Sequence, residues 1–118
     1  MTRAVATVRR TIGQCLKVLG YRVLECGAAD EALSLWPERR GQVALLLTDM
    51  VLPGGMTGLE MAQRLRQNKP GLKVIIMSGY SEELKERGMP TDAGITYLSK
   101  PFQADSLGSL VRARLDEV

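Results

Sequence analysis

Apolar residues along this chain fall into two kinds of stretch, short continuous runs and longer segments with helical spacing. The continuous runs are 43–48, 72–77 and 95–99, and turn residues bound them. Such runs predict strands covered on both faces, the usual state of a parallel sheet. Val8, Ile12, Cys15, Leu16 and Leu19 share one face at helical spacing, and Gly20 follows as a stop signal. Residues 21–25 read as a strand, and 29–36 as a short helix with Pro37 beyond its end. The segment 52–58 is rich in turn residues. Thr57 predicts a helix cap, with Leu59, Met61, Ala62 and Leu65 facing inward and Glu60 at capping-box spacing. Residues 68–71 end that helix, Ser81 caps a short polar helix over 82–87, and 88–94 is loop. A closing helix over 103–115 turns Leu107, Leu110, Val111 and Leu115 inward.

Strand and helix alternate throughout, which predicts an α/β fold with a parallel sheet. A length of 118 residues with no linker or repeat predicts a single domain over 1–118. Hydrophobic residues make up 45%, enough for a full core, yet no run reaches the length of a membrane span. The first residues lack the apolar core of a signal peptide, so the expected location is cytoplasmic with no membrane partner. The formal charge of +3 comes from scattered basic residues, and aromatics at 4% are too few for a base-stacking surface. Direct nucleic-acid binding is therefore not expected. Cys15 and Cys26 lack metal-site spacing and read as packing residues. The chain has no histidine, which excludes Ser-His-Asp and Cys-His catalysis and any role as phosphohistidine donor.

The ends of the three apolar runs carry the chemistry. Asp49, Ser78 and Lys100 each follow one of them directly. In open α/β sheets the ligand site lies beyond the carboxyl ends of the strands. Three separate segments thus aim an acid, a hydroxyl and an amine at one place. That set suits a carboxylate that receives a phosphoryl group, with a hydroxyl and a cation to hold it.

The segments 46–60, 74–80 and 97–102 (LLTDMVLPGGMTGLE, VIIMSGY and YLSKPF) resemble the receiver domains of two-component response regulators, especially those attached to hybrid sensor kinases. The resemblance implies a flavodoxin-like, doubly wound parallel sheet of order 2-1-3-4-5. It implies that Asp49 accepts the phosphoryl group, that Ser78 turns in to bond it, and that Lys100 pairs with it. Tyr97 matches the aromatic that switches rotamer with Ser78. Pro101 matches a proline that commonly follows a cis bond, and the Val51 carbonyl matches a backbone ligand of magnesium beside Asp49. Val51 and Tyr80 match positions that tune acyl-phosphate lifetime, and their apolar bulk predicts slow loss of the phosphoryl group. The implied partners are a histidine kinase or a histidine phosphotransfer protein, with a homodimer left open. The module is not expected to be an enzyme. An aspartate-nucleophile phosphatase needs a second acid where this chain has Val51.

The chain departs from the family at its start. Receivers begin with an apolar strand ending in two adjacent acids that help hold magnesium, but the first acid here is Glu25. One register puts Arg3 and Ala4 at the acidic positions and leaves the first strand missing, the favoured expectation. It also places Arg3 near Asp49 as a substitute for metal charge. The other register forms a short replacement strand over 3–8, followed by Arg9 and Arg10. Both lose the acidic pair and predict weak magnesium binding. The alternative function is accordingly a pseudo-receiver, an interaction or dimerisation module with Asp49 unmodified.

Overall fold

A computed structural model describes residues 4–7, 10–26, 28–39, 41–52, 56–78, 94–99 and 103–116. The described elements are β1 (Ala4–Thr7), α1 (Arg10–Val18), β2 (Arg22–Glu25), α2 (Ala29–Arg39), β3 (Val43–Asp49), α3 (Gly58–Asn68), β4 (Lys73–Ser78), β5 (Ile95–Ser99) and α4 (Ala104–Asp116). The five strands form one sheet of order β2-β1-β3-β4-β5, parallel at every pairing. The short polar helix expected over 82–87 lies outside the described residues.

The first strand is present, which corrects the favoured expectation of a missing one and bears out the replacement strand. Ala4–Thr7 sits between β2 and β3, with Thr7 opposite both Glu25 and Leu47. Its side chains are small, but Val5, Ala6 and Thr7 are all buried. Position explains this better than propensity. A gap between β2 and β3 would leave two rows of buried backbone groups unpaired, and four residues of weak strand character suffice to fill it. The register shifts between Ala4 and Val5, which pair with Val43 and Leu45.

Alternation along β3 and β4 divides the core. Leu46, Val74 and Ile76 pack with Trp36, Met61, Ala62 and Leu65 beneath α2 and α3. Leu45, Leu47, Ile75 and Met77 pack with Val5, Leu16, Leu107, Val111 and Leu115 beneath α1 and α4. Both faces are thus apolar, and the strands read as continuous runs because each residue has a helix above or below it.

Three helix details differ from the sequence pattern. α2 runs through Pro37 to Arg39. Proline there removes one hydrogen bond close to the helix end, and the buried Trp36 indole anchors the turn by donating to the Leu65 carbonyl at 3.0 Å. α1 begins at Arg10, and Val8 lies outside the described residues. Leu19, expected on the inner face of α1, is half exposed at 52%. It caps a Schellman turn in which Tyr21 N–H bonds the Leu16 carbonyl and Gly20 N–H bonds the Lys17 carbonyl, with Gly20 at φ 98°. The chain has left the helix at Leu19, so helical spacing no longer governs where that side chain goes.

Candidate functional site

Asp49 closes β3 and pairs in register with Met77 of β4. The alternation that turns Leu45 and Leu47 toward α1 and α4 gives Asp49 the same side, but beyond the core it is only half-buried. The backbone around it is fixed on two sides. Met50 N–H donates to the Met77 carbonyl at 2.9 Å, which extends the ladder past the acid. The Met50 carbonyl accepts from Gly58 N–H at 2.7 Å, and Val51 bridges Thr57 in antiparallel fashion. The turn 50–58 therefore returns to its own starting point.

Gly58 is the residue that sequence reading missed. A Cβ built on it would lie 2.1 Å from the Asp49 carbonyl oxygen and 3.0 Å from the Thr48 Cγ2. No side chain fits there, so α3 can start against the end of β3 only with glycine at this position. The signal was available as a glycine directly after the helix cap, but nothing local marks it as packed against the acid. Thr57 caps α3 as expected, its hydroxyl accepting from Glu60 N–H at 3.1 Å. The reciprocal half of the capping box differs. The Glu60 carboxylate accepts from the Thr57 hydroxyl at 3.2 Å.

Ser78 ends β4 opposite Ser99 of β5, so the backbone brings Asp49 and Ser78 to one edge of adjacent strands. The side chain of Ser78 lies outside the described residues, as do Tyr80, Lys100, Pro101 and Arg3. Tyr97 pairs with Ile76 and is half-buried against the core beneath α2 and α3. The Val51 side chain is 78% exposed beside the acid.

A family model of the response regulator receiver domain matches residues 5–112. The chain belongs to this family. It is 35% identical over 104 residues to the sensor kinase CckA of Brucella abortus (strain 2308), covering 88% of this chain and 11% of that protein. The receiver domain takes up only that small part of the kinase's length. Among solved structures, the receiver domain of the hybrid histidine kinase CckA is similar at 28% identity, with a TM-score of 0.77 over 97% of this chain and 99% of that one. A CheY-like receiver from Methanospirillum hungatei JF-1 aligns at 26% identity with a TM-score of 0.83, covering 98% of this chain and 95% of that one. The fold and the family are those the motifs implied, a receiver domain of two-component signalling.

Receiver domains generally bind magnesium at this edge, and the donors of this one fit the ion poorly. No Asp or Glu precedes Glu25 in the sequence. Glu25 ends β2 but turns to α1, where its carboxylate lies 3.4 Å from the Lys17 ammonium and packs against Gly13. Among the described residues no three His, Cys, Asp or Glu gather into a metal-binding group. Among the described residues Asp49 and the Val51 carbonyl are what this edge offers, without the acidic pair of the family pattern. Among the described residues no helix is long and apolar enough to cross a membrane.

Proposed function

We propose that this receiver domain accepts a phosphoryl group on Asp49 from the phosphohistidine of a histidine kinase or a histidine phosphotransfer protein. One Asp49 carboxylate oxygen attacks phosphorus, and the phosphorus–nitrogen bond breaks. The electron pair returns to the imidazole, which takes up a proton. The observation that carries the reading is the fixed strand end. Asp49 stands half-open at the carboxyl edge of β3, its backbone held through Met50–Met77 and Met50–Gly58 hydrogen bonds. Phosphoryl transfer rewards such positioning more than covalent chemistry.

Ser78 and Lys100 hold the phosphoryl oxygens in this reading. A phosphoryl group adds nearly two negative charges, so contacts made only after modification shift a two-state equilibrium. Tyr97, half-buried next to Ile76, moves with Ser78 and alters the surface shown to a partner. Pro101 fixes the turn that presents Lys100. Val51 and Tyr80 hinder water and make dephosphorylation slow. The module acts in the cytoplasm as a signalling acceptor and not as an enzyme. Likeness to the CckA receiver supports a phosphorelay partner.

The missing acids favour a second reading, a pseudo-receiver whose Asp49 stays unmodified. Intact mass after incubation with acetyl phosphate, with and without magnesium, separates the two, with Asp49→Asn as control. A phosphoryl adduct lost in the variant is the expected result. A folded protein with no adduct under either condition would favour the pseudo-receiver instead.

A further inference from the structure

β3 runs from Val43 to Asp49, so its first residue lies about 20 Å from the edge that carries the acid. A small cavity opens at that amino end. It holds about 150 Å³ and is lined by Arg22, Val23, Leu24, Arg39, Gln42 and Val43. Ala4 pairs with both Arg22 and Val43, so the cavity sits at the start of β1, with the edge strand β2 on one side and the central strand β3 on the other.

Periodicity brings the two arginines to the same face. Leu24 packs in the core beneath α2 and α3, and alternation along β2 gives Arg22 that same side. Arg39 follows Ala32 by seven residues and Trp36 by three, both buried, so it continues the inner stripe of α2 past its last buried turn. Gln42 N–H donates to the Arg39 carbonyl at 2.9 Å, which fixes the turn that sets Gln42 beside Arg39. Three residues with donor side chains thus line one concavity, and among the described residues no acid lines it. Neither arginine has an ion-pair partner among the described residues. Glu38 is the acid nearest to Arg39 in sequence, and it lies about 100° round the helix, on the exposed stripe of Glu31 and Ser34.

The backbone field at this edge decides the sign of the cavity. α2 and α3 both end here, and a helix C-terminus carries about half a negative charge. Arg39 answers that of α2. Lys69 answers that of α3, its ammonium donating to the carbonyl of Val43 in the cavity wall. Arg22 begins a strand and has no helix end to neutralise, so its charge is left over.

We propose that this cavity is an oxyanion site that takes a phosphate group. A guanidinium pairs with phosphate oxygens through two parallel N–H donors, and the Gln42 amide adds a further donor. Volume sets the class of ligand. The cavity is well under the roughly 300 Å³ at which drug-sized ligand sites begin, so it admits a phosphate head but no nucleoside. The site is separate from Asp49 and does not depend on its phosphorylation.

The test is a titration of the isotope-labelled full chain with inorganic phosphate, against chloride at matched ionic strength, read from backbone amide shifts. Val23, Gln42 and Val43 should shift together and saturate, with a Kd of about 1 mM. Arg22→Gln and Arg39→Gln should each weaken binding by about fivefold or more. Both positions are exposed, and thermal melts should confirm that each variant stays folded. Glycerol phosphate and vesicles of phosphatidic acid then separate two sources of the group. Saturation by the soluble ester alone assigns the site to soluble phosphates, and vesicle binding abolished by the same two variants assigns it to a lipid headgroup. Shifts that chloride reproduces would mean charge screening and overturn the proposal. Shifts near Asp49 with none at Val43, or binding that either variant leaves unchanged, would overturn it as well.

Discussion

β1 and β3 lie side by side at the centre of the sheet, yet they hold their places for different reasons. β3 is seven residues long and fills both faces with leucines: Leu45 and Leu47 on one side, Leu46 on the other. Its place follows from its own side chains. β1 has four residues, and its side chains are small. It is held by its neighbours, through backbone pairing to β2 and β3 together. The function divides along the same line. The end of β3 keeps Asp49, the proposed acceptor, in a fixed turn, whereas the end of β1 brings none of the acids that receivers place there. Backbone pairing holds β1 in place although no acid follows it before Glu25.

The sharpest way to break this comparison is to charge β1. Val5 is fully buried among Leu16, Leu45 and Leu107. Val5→Asp should cost about 4 kcal/mol or more, because an unpaired carboxylate would enter the core. Urea denaturation measures it. A loss below about 1 kcal/mol would mean that β1 is not the buried strand between β2 and β3. The matching change at the end of β3 is Gly58→Ala. Its methyl would collide with the Asp49 carbonyl, so the strand end or α3 must shift, at a cost of about 3 kcal/mol. The same shift would displace Asp49, and phosphoryl uptake from acetyl phosphate should fall with it. Wild-type stability and uptake would show that the turn is looser than its contacts suggest.

How much was legible in the sequence follows from this division. β3, β4 and β5 could be read because their apolar runs are continuous, and Asp49 because it follows one of them. Thr57 and Gly20 were legible because caps are local chemistry. β1 was legible only as the less favoured of two registers, since Ala, Val and Thr in a row say little until two neighbouring strands demand a partner. Gly58 escaped for a similar reason, because its constraint comes from a residue nine positions earlier in the chain. Leu19 looked like core by spacing, and the Schellman turn moved it to the surface. In each case the missed signal was a contact made in space with no local pattern to announce it.

Cys26 sharpens the comparison at the β1 end. Its N–H donates to the Thr7 carbonyl at 2.8 Å, so it stands where the sheet's missing acids would have been neighbours. Burial, with a smaller push from the negative charge of Glu31, raises its thiol from an ordinary 9.0 to about 11. The unfolded chain therefore loses this proton first as pH rises. Between those values the unfolded state binds fewer protons than the folded one, so stability falls with increasing pH. Stability that is complete below pH 9.0 should be lost by pH about 11, an effect on the order of 2 kcal/mol. Other groups titrate in the same window, so the measurement is a difference: urea midpoints of wild type and Cys26→Ala at several pH values, under reducing conditions. The variant will be less stable at neutral pH and should lose less on going alkaline. Parallel profiles would mean that water reaches the thiol, and that the end of β1 is as open as the half-buried end of β3.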